Sequence, residues 1–260
     1  MSTTLIIPGR NGTGSEHWQT WFEGRIAGAR RVRGIDWKQP AIHAWAGALV
    51  HEIDRAAGEV WLVAHSFGCL AALVAGAQRP TRIAGAMLVA PADPELFSAS
   101  GLRDWSDPDA LREPAITHLL PHGPLPYPAL LVLSGNDPWL RLTTGLTWAS
   151  RWGARAVHVG TSGHINEASG HGAWPEGRAL FERFREAHRD LPSGALDADP
   201  LPDESRRREN RSDAGLCRTT AGLDEDAAEP GRVHACAPPR AAQTHALQAF
   251  SPPRTLQEHP

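Results

Sequence analysis

Hydrophobic positions in the first 190 residues follow two rhythms. Short solid runs, Leu5-Ile6-Ile7, Val60 to Val63, Ile83 to Ala90, Ala129 to Ser134 and Ala156 to Val159, are rich in β-branched and aliphatic residues. That is the pattern of strands buried on both faces. The first run, entered at Thr3, stops at Pro8-Gly9, and Arg31 to Gly34 is a weak run, poor enough in apolar residues to be an edge strand. Between the runs lie stretches with an apolar stripe at helical spacing. Glu16 to Ala27 is one, and Ile42 to Ala57 is another, with Ile42, Trp45, Leu49, Val50 and Ile53 on one side and Gly58 closing it. Arg141 to Trp152 and Pro175 to Arg189 complete the set, the last with proline in its first turn. Cys69 to Ala75 is apolar on nearly every side and predicts a buried helix. From Glu95 to Pro128 periodicity fades and proline is frequent, which predicts a long, partly irregular segment over one edge of the sheet.

Strands alternating with helices predict an α/β protein: a doubly wound, mostly parallel six-stranded sheet with helices on both faces. In such a sheet ligands bind outside the carboxyl ends of the strands. The residues just after each run are therefore the ones to inspect for chemistry.

The third run leads straight into Ala64-His65-Ser66-Phe67-Gly68 and then the buried helix. Small-x-Ser-x-Gly between a strand and a helix is the nucleophile-elbow pattern, with Ala64 in place of the usual leading glycine. The tight turn admits only small residues two before and two after the serine, and it holds the hydroxyl above the sheet. The plainer use of Ser66 is as a helix N-cap. After the fifth run, Ser134-Gly135-Asn136-Asp137-Pro138-Trp139 offers Asp137, and after the sixth, Gly160-Thr161-Ser162-Gly163-His164 offers His164. Each has a plainer use, Asp137 in an Asx turn and His164 in a loop, and Asp93 after the fourth strand is a rival acid. Together, Ser, acid and His stand at strand ends in the chain order of α/β-hydrolase triads. The chemistry needs these types: histidine takes the serine's proton during attack, and the carboxylate orients the imidazole and stabilises its charged form. Backbone N–H groups must meet the developing oxyanion; Phe67 and Arg10, the latter in the glycine-rich loop after the first strand, are the candidates. That loop lacks the lysine of a phosphate-binding loop, since Ser15-Glu16 follows Gly14. His65 packs beside the elbow and is expected to be structural, while His17 and His171 stand in loops bordering the site, in support or with no role.

Composition changes the picture mainly at the C-terminus. From Leu191 to Pro260 the only aromatic residue is Phe250, and Pro, Ala, Arg, Asp and Glu dominate. Such a segment buries too little apolar surface to offset its ordering entropy, so residues 1–190 are expected to form one domain and 191–260 a disordered low-complexity tail. The net charge of −3 and the lack of a basic stripe argue against nucleic acid. Three cysteines, Cys69, Cys217 and Cys236, offer neither a disulfide framework nor metal-ligand spacing. Cys69 is expected to be a small buried thiol. No cofactor and no metal are expected. No signal peptide and no apolar run of membrane-spanning length are evident, so a cytoplasmic protein that does not engage a membrane is expected.

The stretches PGRNGTGSEHWQTWFE, LVAHSFGCLAAL, LVAPADPE, SGNDPW and GTSGHINEASGHGAWPEG resemble the RBBP9/YdeN-type serine hydrolases, a compact α/β-hydrolase family. The resemblance spans about residues 3–187. It implies that Ser66, Asp137 and His164 match the family's triad, and that the sheet lacks the first two strands of larger hydrolases, giving strand order 2-1-3-4-5-6. The expected activity is hydrolysis of small carboxylic esters through an acyl-enzyme, with a small-molecule ester as substrate. The alternative is a binding or regulatory protein on a hydrolase scaffold; no protein partner is indicated, and the retinoblastoma-binding Leu-x-Cys-x-Glu motif is absent.

Overall fold

The computed structural model describes residues 2–188. The expected C-terminal tail, and with it the boundary at residue 190, lies outside the described residues.

Six strands form one sheet in the order β2-β1-β3-β4-β7-β8, with β1 Thr3–Ile7, β2 Ala29–Arg31, β3 Val60–His65, β4 Ile83–Val89, β7 Ala129–Leu133 and β8 Arg155–His158. All neighbouring pairs are parallel. Counted within the sheet, this is the order 2-1-3-4-5-6. Two-residue strands β5 Phe97–Ser98 and β6 Gly101–Leu102 make a separate antiparallel hairpin. The helices are α1 Trp18–Glu23, α2 Ile42–Arg55, α3 Phe67–Gln78, α4 Leu142–Arg151 and α5 Pro175–Ala187.

Alternation along the strands divides the apolar side chains between two cores. Leu5, Ile7, Leu62, Ala64, Leu88, Leu131 and Leu133 face α2, α3 and α4, where Trp45, Leu49, Ile53 and Leu73 meet them. Their neighbours Ile6, Trp61, Val63, Met87, Val89 and Val132 face α1 and α5, against Trp18, Phe22, Phe181 and Phe184. Every residue of β3 is buried, because it is central and covered on both faces.

Three elements differ from the sequence expectation. The second strand lies at Ala29–Arg31 rather than 31–34; its residues are only half-buried, so pairing with β1 rather than hydrophobicity sets its position. Helix α1 has six residues instead of the twelve the stripe suggested, because Gly24 ends it. Helix α2 ends at Arg55, and Gly58, with φ +78°, serves the following turn instead. The segment between β4 and β7 holds the hairpin and three 3₁₀ turns, Pro94–Leu96, Ala110–Arg112 and Ile116–Leu119. It is not all surface: Phe97, Ile116, Leu120, Leu125 and Tyr127 are buried in the larger core.

Among the described residues no helix is long and apolar enough to cross a membrane.

Candidate active site

Ser66 sits between β3 and α3 at φ +53°, ψ −128°, a backbone conformation costly for a residue with a side chain. Its neighbours explain how it is held. Its N–H donates to the Val89 carbonyl of β4 at 3.1 Å. A Cβ on Gly68 would lie 2.3 Å from the Pro8 carbonyl oxygen and 2.8 Å from that of Ile7, so only glycine lets α3 pack against the end of β1. A Cβ on Gly9 would lie 2.8 Å from the Ser66 Cβ. The leading Ala64 is fully buried, and the elbow forms with its methyl group in place.

His164 Nε2 lies 2.9 Å from Ser66 Oγ. Its Nδ1 lies 2.9 Å from Asp137 Oδ1 and 3.0 Å from Oδ2. A carboxylate only accepts, so Nδ1 carries the proton and Nε2 is left to accept from the serine hydroxyl. The Asp137 and His164 side chains are 3% and 9% exposed, which shields their interaction from water. Asp137 Oδ1 also accepts from the Trp139 N–H at 2.9 Å, so its Asx turn and its contact with His164 coexist. Asp93, the rival acid, instead accepts from the Glu95 N–H at 3.0 Å and caps the turn at Pro94–Leu96. Burial raises its carboxyl above the usual range.

The cleft above Ser66 has a volume of about 360 Å³ and is lined by Gly9, Arg10, His17, Phe97, Trp139 and Glu167, among others. The Arg10 guanidinium stands 5.9 Å from the Trp139 ring centre. Phe67 is the first residue of α3, where a backbone N–H has no partner within the helix. Its ring is buried 4.9 Å from Trp45 and 4.7 Å from Phe97, centre to centre.

Sequence reasoning missed the side chains that tie these loops together. Ser134 Oγ donates to Asn136 Oδ1 at 2.9 Å and accepts from the Ser162 N–H at 2.9 Å. Asn136 Oδ1 also accepts from the Gly163 N–H at 2.7 Å. The loop bearing Asp137 is thus bonded to the loop bearing His164. The signal was present in the SGNDPW stretch but unreadable before its partner loop was known. Buried Gln19 ties β1 to β3, donating to the Ile7 and Val63 carbonyls at 3.0 and 3.2 Å. His17 caps α1 by accepting from the Gln19 N–H at 3.1 Å, and burial, then Arg31, lower its pKa to about 4. His171 Nδ1 lies 3.2 Å from Ser169 Oγ, within the loop that follows His164. Cys69 is buried, and desolvation raises its thiol pKa well above normal, which suits packing rather than attack. Among the described residues no cluster of His, Cys, Asp and Glu could hold a metal ion.

The family described as serine hydrolase matches residues 4–183. The chain belongs to the YdeN-like serine hydrolases. A putative YdeN-like hydrolase of Pectobacterium atrosepticum is 33% identical, with a TM-score of 0.62 over 72% of this chain and 92% of that one. The ydeN gene product of Bacillus subtilis shares the fold at 17% identity and a TM-score of 0.54, covering 72% of this chain and all of the other. Est1E of Butyrivibrio proteoclasticus, solved with ferulic acid bound, shares it at 14% identity and a TM-score of 0.52, over 72% of this chain and 88% of its own. No curated protein matches the sequence. This serine hydrolase therefore has family and fold in common with the Pectobacterium hydrolase, and the fold in common with the other two.

Proposed function

We propose that this serine hydrolase cleaves small carboxylic esters, with Ser66 as nucleophile, His164 as general base and acid, and Asp137 as the group that orients His164. The observation that carries this reading is the unbroken pair of contacts, 2.9 Å from Ser66 Oγ to His164 Nε2 and 2.9 Å from His164 Nδ1 to Asp137.

Ser66 Oγ attacks the ester carbonyl carbon as its proton passes to His164 Nε2, and the imidazolium is stabilised by Asp137. The carbonyl oxygen becomes an oxyanion, met by the N–H groups of Phe67 and Arg10; such donors are worth about 2.7–4 kcal/mol each. Collapse of the intermediate expels the alcohol, which takes the proton from His164 and leaves an acyl-Ser66. Water then repeats the sequence, giving a carboxylic acid and free enzyme. A cleft of about 360 Å³ suits a small acyl and alcohol pair rather than a polymer. No cofactor enters these steps.

A fluorophosphonate probe tests the assignment on wild type, Ser66→Ala and His164→Ala, followed by p-nitrophenyl esters of graded acyl length. Labelling of wild type alone is expected. Equal labelling of Ser66→Ala would refute the assignment of the nucleophile.

A further inference from the structure

The residue before the nucleophile reaches across to the loop that carries the base. His65 ends β3 and is 5% exposed, and its Nε2 lies 2.9 Å from the main-chain oxygen of His164. A carbonyl oxygen can only accept, so His65 Nε2 carries the proton and donates it. The next carbonyl is held in the same way: the Trp18 indole N–H donates to the Ile165 oxygen at 2.8 Å. Further along, the Trp18 main-chain N–H donates to the His171 carbonyl at 3.1 Å.

These anchors bracket a strained residue. Ile165 has φ +47°, a left-handed conformation that a β-branched side chain adopts only when its surroundings hold it there. It is also fully buried, so its side chain cannot swing out to relieve the strain. Release of either carbonyl would let the peptide planes at 164 and 165 rotate towards ordinary backbone angles. His164 Nε2 would then leave its 2.9 Å contact with Ser66 Oγ.

His65 is suited to donate without competing as a base. Its ring centre lies 4.8 Å from that of His164 and 5.1 Å from that of His17. Burial keeps its pKa well below the usual histidine range, so it stays neutral near neutral pH. A cation there would oppose the imidazolium that forms on His164 during attack.

We propose that His65 is a positioning residue: its Nε2–H bond to the His164 carbonyl, with Trp18 as second anchor, keeps the imidazole of His164 in register with Ser66. The proposal rests on the assignment of Ser66 and His164 above.

The test compares the full-length wild type with His65→Gln, His65→Leu and Trp18→Phe. Glutamine places an amide N–H near the position of imidazole Nε2, leucine fills similar space without a donor, and phenylalanine keeps an aromatic ring but loses the indole N–H. Thermal unfolding, kcat and KM for p-nitrophenyl acetate, and the rate of fluorophosphonate labelling are measured for each. His65→Leu is expected to lower kcat and the labelling rate about 100-fold with little change in KM, the scale of a displaced catalytic group. His65→Gln is expected to recover at least about tenfold of that loss, and Trp18→Phe to lose about tenfold. Packing alone would not distinguish kcat from KM or glutamine from leucine. A folded His65→Leu with wild-type kcat would overturn the proposal, as would equal losses in the glutamine and leucine variants. If His65→Leu does not fold, a folded Trp18→Phe with unchanged kcat overturns it. Failure of the underlying assignment reads differently: wild type would not label, or Ser66→Ala would label as well.

Discussion

Asp137→Asn separates the orienting role of the carboxylate from its charge and shape. The substitution keeps volume and planarity, and its amide oxygen can still accept from the Trp139 N–H, now 2.9 Å from Oδ1. That bond directs the new NH₂ group to the place of Oδ2, 3.0 Å from His164 Nδ1. Oδ1 is also 2.9 Å from His164 Nδ1, so the amide oxygen can still accept there, but the NH₂ donor beside it opposes a proton on Nδ1 and favours the tautomer with the proton on Nε2. That tautomer presents a donor to Ser66 Oγ instead of an acceptor. In that tautomer the hydrogen bonds from His164 to residue 137 and from the serine to His164 are both lost, and in either tautomer the charge that stabilises the imidazolium is gone. The bond to the carboxylate is charge-assisted and worth about 1.5–3 kcal/mol, and the neutral serine–imidazole bond about 0.5–1.5 kcal/mol, or about 2–4.5 kcal/mol together. At about 1.36 kcal/mol per tenfold in rate this is about 30- to 2000-fold in kcat, and loss of the carboxylate charge as the imidazolium forms takes the expected loss towards about 10⁴. The assay is steady-state hydrolysis of p-nitrophenyl acetate beside Asp93→Asn, which removes the rival carboxylate from its cap on the Glu95 N–H. Asp93→Asn should stay within a few-fold of wild type. An Asp137→Asn enzyme within tenfold of wild type, or an equal loss in Asp93→Asn, would refute the reasoning.

Other consequences can be checked separately. Ser66→Ala should lower kcat by about 10⁶ while thermal unfolding stays near that of wild type; retention of full esterase activity would remove Ser66 from the mechanism. Gly68→Ala would put a methyl group 2.3 Å from the Pro8 oxygen, so it should destabilise by about 1–3 kcal/mol in denaturant titrations and slow fluorophosphonate labelling. His17 has a folded pKa of about 4 against 6.5 in the unfolded chain, so between those values the unfolded state binds more protons and stability falls as pH falls. At about 1.36 kcal/mol per unit the loss is on the order of 3 kcal/mol between pH 7 and pH 4, and His17→Gln should flatten that slope in denaturant titrations.

How much of this was legible in advance depended on the range of each interaction. The elbow was readable because strand, serine, glycine and buried helix are consecutive, and the strain at Ser66 is a local property of that turn. Asp137 and His164 were readable because a parallel sheet brings its strand ends to one edge, and order along the chain limited the choice. His65 was expected to be structural, and its bond to the His164 carbonyl was not legible: the partner lies 99 residues away, and nothing local marks a histidine as a donor to that carbonyl. The network of Ser134, Asn136, Ser162 and Gly163 was hidden for the same reason.

The sequence by itself determined the class of fold, the parallel sheet, and the serine and histidine that converge at its edge with one of two candidate acids. Hydrophobic rhythm and turn chemistry are local, and each acts within a few residues. Only the tertiary structure decided which acid faces His164, where β2 pairs, that Ile165 is left-handed, and which side chains hold two consecutive carbonyls in place. Those outcomes arise from contacts between segments distant in the chain. Their energies exist only once the sheet has brought its strand ends together.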